Sequence, residues 1–265
     1  MSRRRITSLT NSTVKAVRAL HMRKTREQSG FFLAEGLKIV AEAVAHGRRP
    51  RFLLHGPDAA GHPLLENAAA IAGDTLEVSP EILAKVSRRE NPQTVLGVFD
   101  QAFAPLDDLE PSAARGWVAL HAVRDPGNLG SIVRTADAAG LGAVILVGDC
   151  CDPFSVEAVR ATMGSIFAVK IARASETAFA AWRREWPGGV VGTLLTATSD
   201  FRAARVAPPI LILMGGEQAG LSPEMAALCD LTVKIPMRGR ADSLNLAVAT
   251  GIMIYALVGP GPATG

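Results

Sequence analysis

Cysteine is scarce in this chain: Cys150, Cys151 and Cys229 are the only three in 265 residues. Three thiols cannot build a multi-bridge framework, and an odd count argues against a secreted scaffold. The adjacent pair suits neither a disulfide nor a tetrahedral metal site, so buried thiols in a reducing compartment are expected. Long apolar runs are missing as well. The longest mostly apolar stretch, 246–259, falls short of the roughly 20 residues a membrane-spanning helix needs. No apolar segment follows the Arg-rich start, so a secretory leader is not expected and a soluble, cytoplasmic protein is. Also absent are G-x-G-x-x-G after a strand, G-x-x-x-x-G-K-[ST], H-E-x-x-H and cysteine pairs at metal spacing. The five histidines are scattered. Dinucleotide, P-loop and metal-dependent chemistry are therefore not expected.

Negative charge is missing from the front of the chain. Arg3, Arg4, Arg5, Lys15, Arg18, Arg23, Lys24 and Arg26 all precede the first acid, Glu27. Residues 1–55 hold 12 Lys and Arg against 3 Asp and Glu, whereas 56–265 hold 16 against 22, an asymmetry hidden by the overall +3. A basic front on a mildly acidic body points to a polyanion met by the N-terminus. What is plentiful is apolar material: 48% of residues are hydrophobic and 20% charged, which excludes disorder as the main state.

The chain alternates between strand-like and helical patterns. Residues 101–116 (two prolines, Asp107 beside Asp108, few large apolar side chains) are expected to be a linker between a domain of 1–100 and one of 117–265. Before it, Asn11 can cap a basic helix carrying Val14, Val17 and Leu20, with Gly30 beyond its end. Strands are expected near 31–33, 51–55, 75–78 and 95–99, and helices near 37–46, 63–71 and 80–86, giving a small α/β domain. After the linker, strands are expected at 117–120, 143–147, 169–171, 190–195, 210–214 and 231–235, with helices between them. Strands apolar on both faces and separated by helices imply an α/β fold with a mostly parallel sheet covered on both sides. Ligands of such sheets bind beyond the carboxyl ends of the strands.

Three loops at such ends carry chemistry. In DPGNLGSIVRTA (125–136) a Pro/Gly/Asn turn feeds a helix holding Arg134; a plain alternative is a strand–helix turn capped by Asn128 with a solvated Arg. In ILILMGGEQAGLS (210–222), Gly215 and Gly216 end a strand where a ligand can approach backbone closely, with Glu217 beside them; the alternative is an ordinary Gly-rich connection. In VKIPMRGRADSLNLAVA (233–249), Asp242, Ser243 and Asn245 crowd the start of a nearly all-apolar helix expected to be buried on every face. Free N–H groups there can hold an anion. Capping by Asp242 and Ser243 is the alternative, and it leaves Asn245 unexplained.

Taken together and in this order, the three segments resemble the motifs of the SpoU/TrmH family of RNA 2′-O-ribose methyltransferases, within the SPOUT superfamily. Residues 11–43, with RKTREQSGFFLAEG inside them, resemble the RNA substrate-binding domain of its ribosomal-RNA members. The resemblance implies S-adenosylmethionine as methyl donor, a homodimer and a C-terminal trefoil knot. It implies a catalytic set of Arg134, Asn128, Glu217, Ser243 and Asn245. It places the cofactor against Leu195, Thr196, Gly215, Gly216, Glu217, Ile235, Met237, Ser243, Leu244 and Asn245. RNA contacts are expected from Arg18, Arg23, Lys24, Arg26 and Arg134. Ribosomal RNA is the expected substrate, with transfer RNA, or a non-catalytic RNA-binding role of the same fold, as alternatives. Arg134 is either the general base or, since arginine is a donor-only group, the group that stabilises a developing alkoxide.

Overall fold

The computed structural model describes residues 4–259; Arg3 lies outside them. Its first half contains β1 (Arg4–Ile6), α1 (Ser12–Ala19), α2 (Arg23–Ser29), β2 (Phe31–Glu35), α3 (Leu37–Ala45), β3 (Phe52–His55), α4 (Pro63–Ile71), β4 (Asp74–Val78), α5 (Pro80–Ser87), β5 (Val95–Asp100), β6 (Gly116–His121) and α6 (Pro126–Ala138). There follow β7 (Ala143–Val147), α7 (Val156–Thr162), β8 (Lys170–Ala174), α8 (Glu176–Arg183), β9 (Val190–Thr193), β10 (Ser199–Asp200), β11 (Ile210–Gly215), α9 (Pro223–Ala226), β12 (Leu231–Lys234) and α10 (Leu246–Leu257). These elements form two compact units. One takes residues up to 101 together with 152–168; the other takes 102–151 and the chain from 169 onward.

The first unit is built on a five-stranded sheet in the order β1-β4-β3-β5-β2. β1, β4 and β3 run parallel, and β5 is antiparallel to both its neighbours. Asn11 caps α1 as expected, its Oδ1 accepting from the N–H groups of Thr13 and Val14. The basic helix is two helices, however, and Gly30 closes the second with φ 71°. β1 carries no alternating apolar signal and was not expected; pairing with β4 along one edge orders it. Leu33, Leu54, Leu76, Leu96 and Val98 of the sheet pack with Val14 and Val17 of α1 and with Ile82 and Val86 of α5.

Residues 152–168 complete this unit, although the sequence placed them in the C-terminal domain. Phe154 packs on Phe32 and Phe167 on Phe99, each with ring centroids 4.9 Å apart. Asp152 accepts from Arg26 at 2.8 Å (Nε) and 2.6 Å (Nη2), and Arg160 pairs with the buried Glu35 at 2.6 Å.

The second unit holds a seven-stranded sheet in the order β10-β12-β9-β11-β6-β7-β8, parallel at every pairing. Trp117, Ala119, Ile145, Leu211 and Leu213 pack with Phe179 and Trp186 in one buried cluster. The expected linker is part of this unit. Leu109 is buried in the cluster with Leu106 and Ala104 against it, and Ala104 bridges to Ala172. Two leucines are enough to hold it down. α10 departs from expectation too. It packs on α6 and β11, but its Val248 and Tyr255 are exposed, Val248 at 52%. Among the described residues this mostly apolar helix is thus covered on one side only.

Candidate active site

The loops leaving β6, β11 and β12 meet at one side of the second unit, joined by a line of hydrogen bonds. Ala122, in the left-handed region at φ 54°, turns the chain from β6 toward α6; a non-glycine residue is held there only by its surroundings. Asp125 caps α6, accepting from the N–H of Asn128 at 2.6 Å, with Pro126 at the first helical position. The cap is therefore not Asn128, whose amide is left for another use.

That use is to join the three motifs. Asn128 Nδ2 donates to Glu217 Oε1 at 3.0 Å, and Asn245 Nδ2 donates to Asn128 Oδ1 at 2.8 Å. The Asn245 Oδ1 in turn caps α10, accepting from Ala247 and Val248 at 2.9 and 3.2 Å. Glu217 also accepts from the main-chain N–H groups of Arg124 (3.1 Å) and Asp125 (3.3 Å). A carboxylate accepts only, so it fixes which way each asparagine amide points. Partial burial raises the Glu217 pKa, but hydrogen bonds from Asn128, from its own N–H and from Arg124 and Asp125 outweigh this and hold it below the usual carboxylate range.

Two expected members of the site stand outside this line. Ser243 is exposed and donates to Asp242. Arg134 is exposed on α6, its guanidinium without a hydrogen bond or ion pair among the described residues. Arg124 and Asp125 were not among the expected site residues; the Asp-Pro helix-start signal marks the turn, but not its attachment to Glu217.

The glycine pair is also required by the chain itself. A Cβ on Gly215 would lie 1.9 Å from the carbonyl carbon of Gly220, and one on Gly216 would lie 2.5 Å from the oxygen of Ala122. The close approach is by the chain's own backbone. The remaining cofactor candidates lie on loops after two adjacent strands, β9 and β12. Leu195 and Thr196 are exposed after β9, Ile235 and Met237 are half-buried after β12, and Leu244 is exposed before α10. Leu194 N–H donates to Val233 O at 3.0 Å, which ties the first loop to β12. Within the described residues, the main-chain N–H groups of Leu195, Thr196 and Met237 meet no acceptor. Uncovered leucines beside unpaired amides suit a flat, polar-edged group such as the adenine of S-adenosylmethionine.

Among the RNA candidates of the first unit, Arg18 and Lys24 are exposed, and Arg23 is exposed with Glu27 beside it at 2.8 Å. Arg26 is not available. It is 3% exposed, held by Asp152 and by the carbonyl of Leu20, because a buried guanidinium needs acceptors on every side. Among the described residues no thiol is in a disulfide; burial raises the pKa of Cys150 and pushes that of Cys229 up to about 12. Among the described residues no three His, Cys, Asp or Glu side chains gather in a metal-binding group, and no helix is long and apolar enough to cross a membrane.

Residues 116–255 match the model of the SpoU rRNA Methylase family. The chain belongs to that family. Residues 11–97 match the MRM3-like substrate binding domain. The 23S rRNA (guanosine(2553)-2′-O)-methyltransferase RlmP of Bacillus subtilis is 31% identical, over 97% of this chain and 100% of its own length. The 23S rRNA (uridine(2479)-2′-O)-methyltransferase of Streptomyces viridochromogenes is 33% identical, over 96% and 92%. The crystal structure of an AdoMet-bound rRNA methyltransferase from Sinorhizobium meliloti superposes with a TM-score of 0.89 at 46% identity, covering 96% of this chain and 97% of that one. In this SpoU-family methylase the matched segment contains the whole Glu217–Asn128–Asn245 line.

Proposed function

We propose that this chain methylates a ribose 2′-hydroxyl of ribosomal RNA, most specifically of 23S RNA, with S-adenosylmethionine as donor. The observation that carries the reading is the hydrogen-bonded line Glu217–Asn128–Asn245, which unites the three family motifs at one place, together with the exposed Arg134 on the helix that bears Asn128. When bound, S-adenosylmethionine supplies an electrophilic methyl group. Leu195, Thr196, Gly216, Ile235, Met237 and Leu244 would hold it through main-chain groups and apolar contacts, with Ser243 at the rim. Gly215 contributes by letting the loop fold back on itself.

The chain's own part is chiefly positioning, the largest lever in an in-line displacement. Arg134 donates to the ribose oxygen or its phosphate and stabilises the alkoxide as it forms, the 2′-hydroxyl proton passing to water. Glu217 holds the loops rather than taking the proton, since its oxygens already accept N–H groups from three other residues. The first unit presents Arg18, Arg23 and Lys24 to the RNA backbone, and the activity belongs in the cytoplasm with the ribosomal RNA. The family also implies a trefoil knot in the second unit.

A homodimer covers the bare apolar side of α10, where Val248 and Tyr255 are half-exposed, a patch of the kind that marks an interface. Val248→Asp is expected to yield monomers in sedimentation at micromolar concentration; wild-type protein that is monomeric and active there would remove the dimer. The function itself is tested by mass-spectrometric mapping of ribose methylation in ribosomal and transfer RNA from cells with and without the protein. One methylation lost from 23S RNA is expected. Loss from transfer RNA alone would move the substrate, and an unchanged map would overturn the reading.

A further inference from the structure

Arg124 has no part in the family motifs, yet its main chain is fastened to the centre of the site. Its N–H donates to Glu217 Oε2 at 3.1 Å, and it follows directly on the turn set by Ala122 at φ 54°. Its side chain turns outward and, among the described residues, pairs with Asp149 alone, Nη1 to Oδ2 at 2.5 Å, with the two side chains 65% and 70% exposed. An ion pair so open to water contributes little and is readily exchanged. The second unit as a whole is not basic: it holds 12 Lys and Arg against 13 Asp and Glu. A cation fixed by its backbone beside the reacting groups of a near-neutral unit is therefore a local feature rather than part of a general positive field. Asp149 also lines an open groove of about 610 Å³ at the carboxyl ends of β7 and β8, together with Gly148, Arg173 and Ser175.

We propose that Arg124 is a substrate-binding residue that grips the RNA phosphate next to the target ribose, and that Asp149 holds its guanidinium in place in the free enzyme and gives it up when RNA arrives. The arrangement explains why the pair sits on the surface: a buried pair could not exchange partners. The guanidinium fork matches phosphate oxygens in two-point geometry. Asp149 adds selectivity, because only a ligand with a better anion in the right place displaces it. This inference rests on the RNA methyltransferase reading above.

The two side chains of one ion pair then have opposite effects, which a merely structural pair would not show. With an RNA that wild-type enzyme methylates, Arg124→Ala is expected to raise the KM for RNA about tenfold, the size of a lost charged hydrogen bond. It is expected to lower kcat less than it raises KM, to reduce the salt slope of RNA binding by about one, and to leave S-adenosylmethionine affinity unchanged by calorimetry. Arg124→Lys is expected to recover part of the KM and the salt slope. Asp149→Asn is expected to lower the KM for RNA. Arg184→Ala, which removes an exposed charge from the same unit, controls for loss of charge alone. If Arg124→Ala leaves KM and salt slope as in wild type, or if Asp149→Asn weakens RNA as much as Arg124→Ala does, the pair is structural and the proposal is wrong. Failure of wild-type enzyme to methylate any RNA would instead remove the functional reading on which it stands.

Discussion

Asn128 and Asn245 differ from ordinary helix-start asparagines in that each amide works at both ends, one end across the motif line and the other in a cap or a second link. Arg134 stands apart from this line, exposed on α6 with no hydrogen bond or ion pair to its guanidinium among the described residues. Arg134→Ala is expected to lower single-turnover methyl transfer about a hundredfold or more, while calorimetric affinity for S-adenosylmethionine stays near wild type. Arg134→Lys is expected to restore little, because a point charge cannot copy a planar fork of donors. Near-normal turnover in Arg134→Ala would make it a solvated helix residue. The Glu217 carboxyl titrates below its ordinary value of ~4.3 in the folded chain. Its stabilising contribution is thus complete above that value and lost as pH falls through the lower folded value. Urea melts of wild type and Glu217→Gln are expected to differ most at neutral pH and to converge in acid. The sequence showed that Asp242, Ser243 and Asn245 compete to start α10, but not which of them wins. The choice depends on Asn128, 117 positions away, and no local pattern records a partner at that distance.

Helix-forming and strand-forming stretches with a clear period were legible almost to the residue: α4 (Pro63–Ile71) and β7 (Ala143–Val147) fall where expected. The elements that escaped, β1 and β10, are three and two residues long and owe their order to a neighbouring strand, not to their own side chains. Exposure of α10 was misjudged for a related reason, since an apolar helix looks the same whether its cover comes from its own chain or from another. Arg26 is the sharpest case. Counted in sequence as one of eight leading cations, it is a buried ion-pair partner of Asp152, 126 positions on. Breaking a buried pair from one side leaves a charge without compensation, at about 3–5 kcal/mol. Asp152→Ala and Arg26→Ala are each expected to lower the unfolding free energy of the first unit, measured by urea melts, by a comparable amount. A change below 1 kcal/mol in both would mean that water or another acceptor compensates.

At the scale of the whole molecule, charge is divided as the sequence suggested. The first unit holds 16 Lys and Arg against 12 Asp and Glu, the second 12 against 13. Binding to a phosphate backbone releases counterions, so affinity falls with salt in proportion to the contacts made. Changing Lys15, Arg18 and Lys24 together to Gln is expected to weaken RNA and to flatten the salt dependence by about one unit per true contact, with S-adenosylmethionine affinity unchanged. An unchanged slope would place the RNA elsewhere. Residues 152–168 matter here in a further way. Domains commonly fold in order as they leave the ribosome, but the first unit of this chain cannot. When residue 101 has been synthesised all five strands exist, yet Phe154, Phe167 and the anion that neutralises Arg26 have not been made. The nascent unit must wait, with apolar rings and a charge uncovered, until two strands of its neighbour have also emerged. Translation order thus makes the maturation of the two units interdependent, and a chain arrested before residue 168 is one that the cell would have to shelter.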